Sequence, residues 1–144
     1  MSTKNIYEIF DEFEKSESDY DRVCVLRFNE SWALKNVLRG AFDPNVRFVI
    51  ERVPYYKPSD APIAMGYTSI AQELGRAYIF EDGNPRVEPN LTYDRKEKIL
   101  IQILESLEKR EAEVFMNMIM KNLKVKNLDY RIVREAFPDL LPPQ

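Results

Sequence analysis

The stretch that decides the fold is EVFMNMIMKNLKVKNLDYRIVREAFPDLLPPQ, Glu113 to Gln144. Val114, Phe115, Met118, Ile119 and Leu123 recur at the three- and four-residue spacing of one broad helix face. Val125–Asn127 interrupts that pattern, and a second helix is predicted behind Asn127 or Asp129 as N-cap, carrying Tyr130, Val133 and Phe137. Pro138 has no N–H to give and ends it, leaving a proline-punctuated exit. Between Lys121 and Arg134 lie five cations, Lys121, Lys124, Lys126, Arg131 and Arg134, against the single acid Asp129. An apolar helix, a basic elbow and a short second helix make a unit with a chemical preference for anions.

Towards the N-terminus the same periodicity repeats. A first helix is expected from Lys4 to Lys15, capped by Thr3, with Ile6, Ile9, Phe10 and Phe13 as its stripe and Asp11, Glu12 and Glu14 turned to water. A second, Tyr20 to Asn29, follows the turn Ser16–Asp19. Val23 and Leu26 face inward, and Val25 and Phe28 widen the arc. Ser31 caps a third that runs through Phe42, with Trp32 in its first turn. Trp32 is read as a core anchor in preference to a base-stacking platform. Val46–Val53 fits either a strand or a buried helical turn. Residues 54–68 form a proline-restricted loop in which Tyr55, Tyr56 and Lys57 have the composition of a stacking-plus-charge cluster, with folding of the tyrosines onto the core the favoured reading. A helix over Ile70–Phe80 starts at Thr68 or Ser69, Asp82–Gly83 is a turn, and Thr92 or Asp94 starts a helix carrying Ile99, Leu100, Ile103, Leu104 and Leu107. Lys109–Arg110 ends that helix or joins it to the next. The expectation is an all-α fold: one domain over residues 1–144, a compact irregular bundle of six to seven helices with at most one short strand. Phe10, Trp32, Leu38, Leu104, Phe115 and Ile119 are expected to share its core.

The chemistry is bounded as much by what is missing. The 144 residues carry a formal charge of −3 and no histidine, which removes the commonest general base and zinc ligand. The single cysteine, Cys24, excludes an intramolecular disulfide and is read as a buried structural thiol. Four glycines form no phosphate cradle, and the acids Asp11 to Asp21 lack the spacing of a calcium loop, so a solvated acidic face is expected. No catalytic residue, metal site or cofactor is expected, and no leader or membrane span, which suggests a cytoplasmic protein. Charge is uneven: residues 1–31 hold four cations and eight acids, the elbow five and one. The elbow reads either as a solvated basic surface that balances the acidic N-terminus, the reading residue types favour, or as a cationic face held against phosphates.

MIMKNLKVKNLDYRIVREAFPDLLPPQ resembles the end of the N-terminal DNA-binding domain of phage ATP-dependent DNA ligases. In that family a long helix enters an elbow, then a short helix, an aromatic–proline pair and a proline-containing exit. The matching parts are Met116–Leu123, Lys124–Asn127, Tyr130–Ala136, Phe137–Pro138 and Leu141–Gln144. A second likeness covers Leu34 to Pro58, an apolar helix, a turn and an aromatic segment before a proline loop. The family's elbow glycine is replaced by Lys126–Asn127 with one extra residue, and asparagine tolerates the left-handed backbone that glycine would supply. No Lys-x-Asp-Gly adenylylation motif occurs in the chain. The resemblance therefore implies a free-standing, non-catalytic helical domain that grips duplex DNA across the minor groove with low sequence specificity. Its contacts would come from Lys121, Lys124, Lys126, Asn127, Arg131 and Arg134. The alternative is an adaptor or inhibitor on the same scaffold, binding a phage or host replication, repair or transcription protein.

Overall fold

A computed structural model describes residues 4–59 and 68–143. Among the described residues there are seven α-helices: α1 Ile6–Lys15, α2 Asp19–Phe28, α3 Trp32–Phe42, α4 Ile70–Leu74, α5 Tyr93–Ser106, α6 Lys109–Ile119 and α7 Tyr130–Ala136, with a 3₁₀ turn at Ala77–Phe80. The fold is all-α. Among the described residues the only β pairing is an isolated antiparallel bridge between Phe48 and Glu81, so Val46–Val53 is neither strand nor helix.

Local chemistry sets most helix starts. The hydroxyls of Ser18, Ser31, Ser69 and Thr92 accept from the backbone N–H three residues on, as does the Asp129 carboxylate from Ile132. Glu108, itself buried, accepts from the N–H groups of Arg110 and Glu111, which separates α5 from α6 and makes Lys109–Arg110 the first turn of α6. α1 starts at Ile6 with Asn5 as its cap, where Glu8 accepts from the Asn5 N–H at 3.0 Å, and the expected cap Thr3 lies outside the described residues. The expected helix Ile70–Phe80 is broken at Gly75–Arg76 into α4 and the 3₁₀ turn, because Gly75 closes the last turn with little helix propensity of its own.

α6 is the central element, packed by α1, α3, α4 and α5, while α2 packs on α1 and α7. Its inward set, Ala112, Val114, Phe115, Met116, Met118 and Ile119, is buried. Phe115 meets Phe80 edge to face, with centroids 6.5 Å apart and planes at 85°. Gly40 lets α3 approach α6: a Cβ there would lie 2.8 Å from Met118 Cγ and Sδ. Phe10, Leu38, Leu104, Phe115 and Ile119 share one core as expected.

Four aromatic or thiol assignments are corrected. Trp32 is 58% exposed and Phe28 78% exposed. Cys24 is exposed. Tyr55 stands out at 92% exposure, whereas Tyr56 packs against the core. For Trp32, Phe28 and Cys24 the cause is that α2 and the first turn of α3 use only part of their apolar residues for packing: Val23 and Leu26 bury on α2, and Leu34, Val37, Leu38 and Ala41 on α3. Tyr20, Cys24 and Phe28, four apart, lie on the opposite face of α2 and are exposed.

The charge asymmetry closes on itself. Arg110 of α6 grips Asp11 of α1 with two bonds of 2.8 Å, and Arg131 of α7 reaches Asp19 of α2 at 2.9 Å. Lys4 pairs with Glu12, and the Lys126 N–H donates to Glu14 at 2.9 Å. The N-terminal acids are thus only partly a solvated face: they tie α1 and α2 to the C-terminal third.

Candidate functional site

The elbow begins where α6 stops at Ile119, earlier than the Leu123 that apolar spacing implied. The Asn122 N–H donates to Asn117 O at 2.9 Å and the Lys121 N–H to Met118 O at 3.0 Å, a Schellman closure with Lys121 at the left-handed position glycine ordinarily takes. Lys121, Lys124 and Asn127 have φ of 59°, 58° and 70°. Three left-handed residues within seven wind the chain tightly from α6 to α7. Asn127 adopts the left-handed conformation that glycine commonly takes, while Asp129, not Asn127, caps α7.

The six elbow residues are placed in three different ways. Lys121 turns inward: its Nζ donates to Gly40 O at 2.7 Å and Asp43 O at 2.9 Å, closing the carbonyl end of α3, and lies 5.6 Å from the Phe48 ring centroid. Burial lowers its pKa, against the attraction of Asp43 and Glu81. Arg131 is shared between Asp19 and Glu135, each at 2.9 Å, and Arg134 is half-buried. Lys124, Lys126 and Asn127 are exposed, and among the described residues neither lysine is in an ion pair. Lys124 and Lys126 line a hollow of about 400 Å³, and Glu14 stands in its wall.

A second concavity, also about 400 Å³, opens between α3 and the 3₁₀ turn. Trp32, Asn36 and Arg39 line one wall at i, i+4 and i+7, a single helix face, and Tyr78 and Arg86 line the other. The Arg86 guanidinium lies 4.1 Å from the Tyr78 ring centroid. Asn36 Nδ2 donates to Trp32 O at 2.8 Å, and Arg39 reaches Asn36 Oδ1 at 3.4 Å. Sequence reading missed this cleft by assigning Trp32 to the core. The signal was present: the residues four and seven beyond Trp32 are Asn36 and Arg39, so the indole belongs to the polar face of α3.

Residues 9–125 match a family model described as a family of unknown function, DUF6433. The chain belongs to that family. No curated protein matches it. The family match takes in the whole α3 cleft and ends inside the elbow at Val125, before Lys126, Asn127 and α7. Among the described residues no three metal-ligating side chains cluster, and no helix is long and apolar enough to cross a membrane.

Proposed function

We propose that this chain is a non-catalytic duplex-DNA-binding module of low sequence specificity, acting in the cytoplasm of a phage-infected cell and gripping phosphates with its elbow. The observation that carries the reading is Asn127 at φ 70°, which keeps a glycine-like turn at the position where the sequence resembles the ligase domain, beside the exposed Lys124 and Lys126. The footprint is smaller than the five cations suggest. Lys121 is committed to α3 and Arg131 is shared with two carboxylates, so two to three phosphate contacts are expected, from Lys124, Lys126 and part of Arg131.

Each contact releases condensed counterions and adds about −0.9 to the slope of log affinity against log salt. Two to three contacts give a slope of about −1.8 to −2.7, a loss of roughly 12- to 40-fold between about 50 and 200 mM salt. Fluorescence anisotropy on two duplexes of unrelated sequence measures this directly. Lys124→Ala with Lys126→Ala should weaken both duplexes alike and flatten the slope by up to about two. Absence of binding at about 50 mM salt by folded protein overturns the proposal.

A second reading, a protein-binding adaptor or inhibitor, is favoured by Tyr20, Cys24 and Phe28 along the outer face of α2, where Tyr20 and Phe28 are 77% and 78% exposed. A helix face with i, i+4, i+8 apolar anchors suits a groove in a partner protein. Phe28→Ser and capping of Cys24 with a bulky maleimide should each abolish binding to an identified replication, repair or transcription partner while leaving the duplex-DNA slope unchanged.

A further inference from the structure

We propose that the cleft between α3 and the 3₁₀ turn binds a nucleotide, with its base stacked on Trp32 and its phosphate between Arg39 and Arg86. Three features converge there. The chain's only tryptophan stands 58% exposed at the cleft although it begins a helix whose other large apolar residues pack inward. An indole left in that position presents a flat face that every nucleobase can stack on, whatever its edge. Two guanidiniums share the same lining, and among the described residues neither Arg39 nor Arg86 is held in an ion pair. Arginine's planar fork matches phosphate oxygens two at a time.

The walls are built to keep their shape. Trp32 and Asn36 are joined through the Asn36 side-chain bond to Trp32 O, and Arg86 is stacked on Tyr78. Phe48 and Met118 supply an apolar floor. One carboxylate, Glu81, also lines the cleft, so two cations face one acid and the site keeps a net positive charge. A volume of about 400 Å³ is within the usual range for small-ligand sites. An aromatic platform and paired guanidiniums in one cleft select a ligand that is aromatic at one end and anionic at the other. A nucleotide is both, whether free or carried in a single strand.

Trp32 is itself the reporter, since no other tryptophan contributes to the emission. Intrinsic fluorescence is followed during titration with AMP, with adenosine and with an eight-residue oligo-dT, and absorption by the ligand is corrected with free N-acetyltryptophanamide. Saturable quenching is expected, tighter for AMP than for adenosine because only AMP carries the phosphate. Saturation by AMP assigns the site to a free nucleotide, and saturation by oligo-dT alone assigns it to a strand. Arg39→Ala and Arg86→Ala should each raise the apparent Kd about tenfold or more, and Arg39→Lys should recover only part of the loss. Arg86 lies outside the helices, so its variant keeps the test intact should Arg39→Ala unfold α3. No saturation by any ligand, or equal quenching in wild type and in folded Arg39→Ala and Arg86→Ala variants, overturns the proposal. The result is separable from the elbow: Lys124→Ala with Lys126→Ala should leave the quenching intact, and the arginine variants should leave the duplex-DNA salt slope intact.

Discussion

Lys121 carries the same charge as Lys124 and Lys126 and spends it differently. Its ammonium closes the carbonyl end of α3, where two short bonds and the helix dipole offset the loss of water. Lys121→Met should therefore cost about 1.5–3 kcal/mol in urea unfolding, the range for hydrogen bonds to a charged group, and leave the DNA salt slope unchanged. Lys124→Ala and Lys126→Ala should stay within about 0.5 kcal/mol of wild type, because both side chains are exposed. Phe115 is the opposite case, fully buried against Phe80 at the centre of the core, and Phe115→Ala should cost about 3–5 kcal/mol. Cys24 should react with a thiol reagent in the native protein at one equivalent per chain. A native thiol that stays unreactive until the protein unfolds would contradict its exposure.

At the scale of elements, the caps were legible and the ends of packing faces were not. Ser31, Ser69, Thr92 and Asp129 announce helix starts because a short polar side chain satisfies an orphan N–H locally. The C-terminus of α6 was hidden because Leu123 is buried and keeps the apolar spacing after the helix has ended. What stops α6 is a left-handed lysine, for which residue type gives no warning. Asn127→Gly should be neutral or gain up to about 1 kcal/mol, since glycine adopts a positive φ without a Cβ clash. Asn127→Val should lose about 1–2 kcal/mol or more, because a β-branched residue resists that conformation. Chemical denaturation of the pair checks both directions, and equal stability of the two variants would remove the left-handed turn from the account.

For the whole molecule, the acids of the first two helices hold the C-terminal third in place. The Asp11 carboxyl is kept below the ordinary carboxylate range by its bonds from Arg110, against a smaller opposing effect of burial. A depressed folded-state pKa gives stability that is present above the unfolded value, about 3.9, and is lost as pH falls through the folded one. Glu111 runs the other way. Burial raises its pKa, and the bond it accepts from the Ile70 N–H only partly opposes this. Its proton is bound more tightly in the folded state, so its contribution is favourable below its unfolded pKa and lost as pH rises through the folded one. Melting temperatures from pH 3 to 7 should show both effects. Asp11→Asn should remove part of the acid-side fall and cost roughly 0.2–1 kcal/mol at neutral pH, as exposed pairs do. Glu111→Gln, which keeps an acceptor for Ile70, should stabilise the protein towards neutral pH. A variant curve parallel to wild type across the whole range would exclude that residue from the pH response.

The sequence by itself determined the helical class, most helix starts and most of the core, because apolar period and capping act within a few residues of each other. Only the tertiary structure decided what the charges and exposed aromatics do. Lys121 finds Gly40 across 81 residues, Arg110 finds Asp11 across 99, and Arg131 finds Asp19 across 112. No local pattern encodes which cation meets which acid at such separations, so a stretch that reads as one basic elbow becomes one internal cap, one interhelical tether, one half-buried arginine and two exposed lysines. Trp32 follows the same logic. Its hydrophobicity names the core, but the face of α3 turned towards α6 is fixed by Leu34, Val37, Leu38 and Ala41, and that leaves the indole beside Asn36 and Arg39 at the opening of a cleft.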